Sequence, residues 1–461
     1  MAEVTTPVPT DDEMRRVWRR TGLRIIPLIG LAYVMSYIDR ANLGYAAQPL
    51  SKSLGMTAGQ AGLASGLFFI GYVLVEIPSN MMLRRFGARK WITRILVSWG
   101  LVTMATGAVQ NVAQLYAARI LLGFAEAGLA AGILLYLTFW FPRRQRAWAM
   151  SAFFIMLPLS GIIGSPLAAA MLSWGQQLTG HTGWRSLFFT EGLFTVVSGI
   201  VIYAFLPDRP ADARWLTPEE KDAIQRRLGQ ETVRQNAHGA LTGMRQALSS
   251  GRVWMLSLAF FAIVFGLYPI AFFLPTMIAT LTGHASAVSD VSSVLLAGIP
   301  SAIAILAMLG WAKVAARRSA VFSTAVPLAF GVVGLVLATF THHDVLFIAA
   351  FCVSVSGIFT AMPQFWRLPP LCLTGAAAAS GIALINSVSN AGGFLGPYMT
   401  GAIADATGDF TYALLAIALI MSGGLVILLT AGRKAEASAA QDPPPQRRDP
   451  LPQTHDTKET A

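Results

Sequence analysis

Residues 113–140 form one apolar run, long enough to cross a bilayer as a helix, and the run contains Arg119 and Glu126. Spanning hydrocarbon takes roughly 20 apolar residues, and each charge at the centre costs about 2.5–3.5 kcal/mol on the most lenient insertion scale. Two such charges in one span need partners or a function. Their separation is close to two helical turns, so they share a face, with Gly123 between them thinning the helix for close approach. That face must look into protein, not at lipid.

The remainder of the chain is built alike. Of its 461 residues, 54% are hydrophobic and 12% charged, which excludes a soluble domain of ordinary composition. Apolar runs at 24–47, 58–82, 91–110, 113–140, 147–173, 185–206, 252–279, 287–312, 321–341, 345–366, 374–403 and 410–432 predict twelve transmembrane helices in two sets of six. Basic residues cluster at Arg15 to Arg24, Arg84 to Arg94, Arg143 to Arg146, Arg209 to Arg252, Lys313 to Arg318 and in the tail, all on one side of these spans; Lys52 and Arg185 fall on the other. The positive-inside rule then places both termini in the cytoplasm. The same clustering explains the net charge of +11 without nucleic acid as a partner. The N-terminus lacks the apolar core of a cleavable signal peptide, and Cys352 and Cys372, in or beside apolar segments, read as packing residues.

Five segments follow: a cytoplasmic N-terminal segment 1–23, a six-helix bundle 24–206, a cytoplasmic linker 207–251, a second bundle 252–432, and a disordered tail 433–461 that contains Pro443-Pro444-Pro445. Within the linker, Thr217-Pro218-Glu219-Glu220 predicts a short capped helix. Gly87-Ala88-Arg89-Lys90 after the second span and Gly310 with Arg317-Arg318 after the eighth form a faint internal repeat. The expected fold is therefore an all-α membrane protein of two pseudo-twofold six-helix bundles, with a site between them near mid-membrane.

On the first span, Tyr33, Tyr37 and Arg40 share one face, while Asp39 points about 100° away from Arg40. Counting about 1.5 Å per residue puts Asp39 about 12 Å and Arg119 about 9 Å from the outer boundary, close enough in depth for an ion pair. Glu126 lies two turns deeper, and Arg40 and Glu126 have no evident mutual partner. Intramembrane ionisable groups of this kind are candidates for proton and substrate handling. Glu76 and Glu191, near span ends beside basic residues, read as gate or packing salt bridges. The second half has no acidic residue in a span core; it offers Asn386 and Asn390, one turn apart, and Trp366 near the inner end of its span. None of the 6 histidines lies inside a span, which argues against a membrane metal site.

The runs Tyr37-Ile38-Asp39-Arg40-Ala41-Asn42, Phe68-Phe69-Ile70-Gly71-Tyr72, Glu76-Ile77-Pro78-Ser79-Asn80, Arg119 through Gly128, and Trp140-Phe141-Pro142 resemble the anion:cation symporter family of the major facilitator superfamily. So do Gly183-Trp184-Arg185 with Glu191-Gly192, Phe365-Trp366, and Ile385-Asn386 with Gly392-Gly393. Within that family the closest likeness is to bacterial tartrate, phthalate and hydroxyphenylacetate permeases. The resemblance implies proton-driven import of a small organic anion by a monomer in the bacterial inner membrane, with the proton as coupling ion and no other cofactor. It implies that Asp39 and Glu126 are the proton-coupling carboxylates, Arg119 the partner of Asp39, and Arg40 the cation facing the substrate carboxylate. Tyr37, Tyr72, Trp366 and Asn386 match cavity positions.

Two departures stand out. The family's proline after Glu-Ala-Gly is replaced by Leu129-Ala130-Ala131, which bears on the helix beside Glu126. The loop after the eighth span has Val314-Ala315 in place of the usual acidic residue, which bears on the symmetry of the inner gate. Met156, Leu157, Pro158 and Ser160 are less polar than the corresponding stretch of sugar-acid symporters, so an aromatic or less hydroxylated acid is expected. An antiporter or efflux pump for cations or drugs is a rival of the same fold, but it would want unpaired acids where Arg40 supplies a cation. A membrane-embedded enzyme is opposed by the lack of any His-Glu-x-x-His, serine–histidine or clustered-carboxylate signature within the spans. A receptor or sensor without transport is the remaining rival.

Overall fold

The structure, a computed structural model, describes residues 11–142, 145, 149, 150, 153–233, 245, 248–281, 290–341, 343–372 and 375–441. The first half comprises α1 (Asp11–Tyr45), α2 (Ala47–Leu54), α3 (Ala58–Phe86), α4 (Ala88–Thr106), α5 (Val112–Glu126), α6 (Leu129–Trp140), α7 (Met156–Thr179) and α8 (Gly183–Phe205). A linker helix, α9 (Pro218–Val233), follows. The second half comprises α10 (Gly251–Leu281), α11 (Asp290–Leu296), α12 (Ile299–Ala315), α13 (Ala320–Thr339), α14 (Asp344–Phe365), α15 (Gly375–Thr407) and α16 (Thr411–Gln441). Among the described residues there is no strand.

Ten helical runs are long and apolar enough to cross a membrane, with α5–α6 and α11–α12 each counting as one. The helices α4 and α15 complete the twelve expected crossings. Arg89, Lys90 and Arg94 load one end of α4 with charge, and small and polar residues dilute α15, so neither reads as strongly apolar. Two predicted boundaries change. The helix α1 starts at Asp11 and α16 runs to Gln441, beyond the expected 24 and 432, because a helix continues into water wherever its polar residues favour it, while hydropathy marks only the part in hydrocarbon. Residues 433–441 are thus helical and not disordered; the expected disorder beyond them, the polar N-terminal end up to residue 10 and part of the linker lie outside the described residues.

Capping explains several starts. Thr57 and Gln60 form a reciprocal capping box on α3 (3.1 and 3.2 Å), and Asn111 accepts the Gln114 N–H at 2.9 Å on α5. The predicted linker cap is present: Thr217 N–H donates to Glu220 at 3.0 Å, and Glu220 N–H returns a bond to Thr217 Oγ1 at 3.3 Å. Arg20 of α1 bonds the Glu220 carboxylate, tying the linker helix to the first half.

The two halves meet along three lines: α1 against α10, α3 against α15, and α7 against α11 and α12. Counted as crossings these are 1 with 7, 2 with 11 and 5 with 8. Exchanging each crossing with the one six places away maps the set onto itself, which is the expected pseudo-twofold relation. On the side opposite the basic loops, a Cβ on Gly62 would collide with the Pro397 carbonyl and one on Gly401 with the Ala58 carbonyl, so α3 and α15 touch there backbone to backbone. Asp405 of α15 closes that seam by accepting the first N–H groups of α3, from Ala58 at 2.9 Å and Gly59 at 2.7 Å. A carboxylate at a helix N-terminus satisfies donors that have no partner within the helix.

Candidate functional site

The run that opened the sequence reading is not one helix. After Glu126 the chain breaks at Ala127-Gly128, and Gly128 adopts φ +87°, a conformation that side chains other than glycine's rarely take. The break occurs without the family's proline at that point. Glu126 consequently sits on the last turn of α5, fully buried.

Its partner is Arg40, a correction to the expectation that neither had one. Arg40 Nη2 lies 2.6 Å and Nε 3.1 Å from Glu126 Oε1, and Ser36 Oγ donates to the same oxygen at 2.6 Å. All three bonds converge on one oxygen. Glu126 Oε2 is buried without a partner. The third guanidinium nitrogen crosses to the other half: Arg40 Nη1 donates to Tyr268 Oη of α10 at 2.6 Å. Five rings, from Tyr37, Phe68, Phe69, Tyr72 and Tyr268, surround this guanidinium at 5.1–6.0 Å.

Asp39 points away from Arg40, as the helical angle requires, into a separate buried group. Thr103 Oγ1 donates to Asp39 Oδ1 at 2.6 Å and Asn42 Nδ2 at 3.2 Å, while Oδ2 has no partner. The expected Asp39–Arg119 ion pair is not formed within 4 Å. Arg119 instead bonds the Ala64 carbonyl at 3.3 Å and lies over the Phe68 ring at 5.5 Å, acting on Asp39 only through space. Close packing of α5 on α3, where a Cβ on Gly123 would strike the Phe68 carbonyl, holds it there.

A cavity of about 820 Å³, its opening included, lies between the halves. Arg40 and Tyr37 line it from the first half, with Tyr268, Phe272 and Phe359 among the residues facing them from the second. Three of the expected substrate contacts stand off its wall. Tyr72 is in the ring cluster behind Arg40. Trp366 packs edge-on against Phe260 at 4.9 Å, and Asn386 Nδ2 donates across the halves to Glu76 Oε1 at 2.9 Å. Glu76 and Glu191 were expected in salt bridges; among the described residues neither has a cation within 4 Å, and Glu191 lies buried with Asn42 of α1 beside it. Tyr268 was missed by the sequence reading, since a single tyrosine in a uniformly apolar span carries no charge pattern to mark it.

The comparisons with known proteins agree with this architecture. The family model of the Major Facilitator Superfamily matches residues 29–397. A protein of Agrobacterium vitis, provisionally named a tartrate transporter, is 36% identical over 92% of this chain and 93% of its own length. The Quinolone resistance transporter of Acinetobacter baumannii is 35% identical over 93% of this chain and 98% of its own length. Among solved structures, a bacterial homologue of the human lysosomal transporter Spinster, inward-facing and unoccupied, superposes with a TM-score of 0.66 at 17% identity, covering 92% of this chain and 97% of the other.

Proposed function

The chain belongs to the Major Facilitator Superfamily and is a multi-pass membrane transporter, not an enzyme; on that premise we propose that it imports a small organic anion bearing a carboxylate together with protons. In this reading it works as a monomer in a bacterial inner membrane, with both termini cytoplasmic and no cofactor beyond the proton.

One observation carries the reading: the cation on the cavity wall, Arg40, is already occupied by Glu126. An incoming carboxylate competes with Glu126 for the Nε–Nη2 edge of the guanidinium, the edge suited to a carboxylate fork. A proton on Glu126, whose unpartnered Oε2 is free to receive it, removes that competitor and leaves Arg40 for the substrate. Proton and substrate therefore favour each other's binding, and the coupling is reciprocal. The reverse exchange is costly, since opening a buried pair without replacing a partner leaves an unpaired charge at about 3–5 kcal/mol. Asp39, with its unpartnered Oδ2 and Arg119 nearby, is the second candidate proton carrier.

The test is Glu126→Gln in proteoliposomes, which mimics the protonated state. Counterflow exchange should survive and accumulation driven by a proton gradient alone should vanish; continued accumulation removes Glu126 from the coupling role. Export is the second reading, favoured by the relative whose name refers to quinolone resistance. An inward proton gradient would then drive substrate out of vesicles, so the same assay separates the two.

A further inference from the structure

The cavity wall carries one positive charge and no negative one. Among the described residues that line it, Arg40 is the only arginine, and lysine, aspartate, glutamate and histidine are absent. The other buried cation of the first half is out of reach, because Arg119 is 2% exposed, turned onto Phe68 and bonded to the Ala64 carbonyl. The arginine of the second half nearest in sequence to the cavity helices, Arg367, is held at the basic-loop side by the Ala315 carbonyl (3.0 Å) and Ser323 (3.2 Å). Arg40 itself has one edge to give, the Nε–Nη2 edge that Glu126 yields on protonation, since Nη1 is committed to Tyr268.

We infer that the substrate is a monocarboxylate with a flat, aromatic body, and that dicarboxylates are rejected. The inference rests on the anion-carrier reading and deepens it. One carboxylate takes the Nε–Nη2 edge. A second on the same molecule would find no second cation among the described lining residues, only scattered hydroxyls such as Ser65, Ser301 and Tyr45 among apolar side chains, and a charge left so is strongly disfavoured. The rings of Tyr37, Tyr45, Tyr268, Phe272 and Phe359 on the wall suit an aromatic body. A polyhydroxylated one would be less well served, since the wall's hydroxyls are few beside its apolar side chains and Ser160 is already spent on the Leu157 carbonyl at 2.5 Å. Tyr268, whose oxygen accepts from Arg40, is also hydrogen-bonded to Tyr37, so the guanidinium is held from both halves and the carboxylate is left to the Nε–Nη2 edge. The tartrate in one relative's name, with two carboxylates, is the wrong shape and charge for this wall.

Matched ligands decide it. Binding to the purified protein is measured by calorimetry for benzoate, for phthalate, which adds only the second carboxylate, for cyclohexanecarboxylate, which removes only the π face, and for tartrate. Benzoate should bind best, cyclohexanecarboxylate about 3–10-fold more weakly, phthalate about 100-fold more weakly, and tartrate undetectably. Phthalate or tartrate binding as tightly as benzoate overturns the monocarboxylate assignment while leaving the anion carrier intact; cyclohexanecarboxylate matching benzoate overturns the aromatic part. Binding of none of the four, or benzoate affinity unchanged in Arg40→Ala, overturns the carrier reading itself. As a gain of function, Ser301→Arg, which puts a cation on the opposite wall, should narrow the benzoate-to-phthalate ratio; a stable variant with an unchanged ratio counts against the inference.

Discussion

The two halves share a packing plan and divide the chemistry unequally. In the first, Asp39, Glu76, Arg119, Glu126 and Glu191 are buried, with Arg40 at the cavity rim. In the second, the described buried polar side chains are hydroxyls alone, such as Ser257, Thr324, Ser354 and Thr360. A charge in hydrocarbon is tolerated only with partners, and partners on one rigid bundle keep their geometry as the bundles move. Charges shared between bundles would be stripped at every transition. Concentrating them in one half lets the other act as an apolar wall, tied to the site by single hydrogen bonds such as Arg40 to Tyr268.

That comparison can be broken or sharpened by mutation. The largest effect belongs to the one cation on the wall: Arg40→Ala should lower anion affinity by 100-fold or more, about 3 kcal/mol, and Arg40→Lys should recover only part, because an ammonium lacks the fork. Thermal stabilisation by ligand reads this out, and an unchanged dissociation constant would overturn the anion-carrier reading. Next comes the seam. Asp405→Ala leaves two N–H groups of α3 without acceptors and should weaken the closed far side by about 1–2 kcal/mol, the usual worth of a helix cap. Spin labels at Lys52 and Tyr412 should then report a larger separated fraction; an unaltered distance distribution would make the contact incidental. A smaller effect is expected from the second half, where Tyr268→Phe removes one bond to Arg40 and should cost about 0.5–1.5 kcal/mol of affinity. The smallest is Trp366→Ala, which should alter the ratio of aromatic to aliphatic acid affinity by less than about twofold, since its ring packs on Phe260 and Phe365 away from the cavity. A selective loss of aromatic binding would return Trp366 to the site.

Much of the fold was legible because hydrophobic length is a local property. The same holds for the Thr217 cap, written in four consecutive residues, and for the opposite facing of Asp39 and Arg40, which follows from helical angle alone. Pairing was not legible. Arg40 meets Glu126, and Asp405 meets Ala58, across crossings remote in sequence, and depth counting matched Arg119 to Asp39 by height while lateral packing turned it onto Phe68. The break after Glu126 left no proline to announce it. Asn386 looked like a ligand contact through the family resemblance, since an amide in a span needs a partner that sequence cannot name; its partner is Glu76.

The break at Gly128 also makes a lever of α6. That helix runs from the joint beside Glu126 to Trp140, whose ring stacks on Trp215 of the connection between the halves, centroids 6.2 Å apart and planes 16° from parallel. An arm of this length reaches about 18 Å, so a turn of about 10° at its fulcrum carries the tip about 3 Å. Glu126, the acid proposed to give up Arg40, stands at the pivot, and the tether joining the two bundles rests on the far end of the arm.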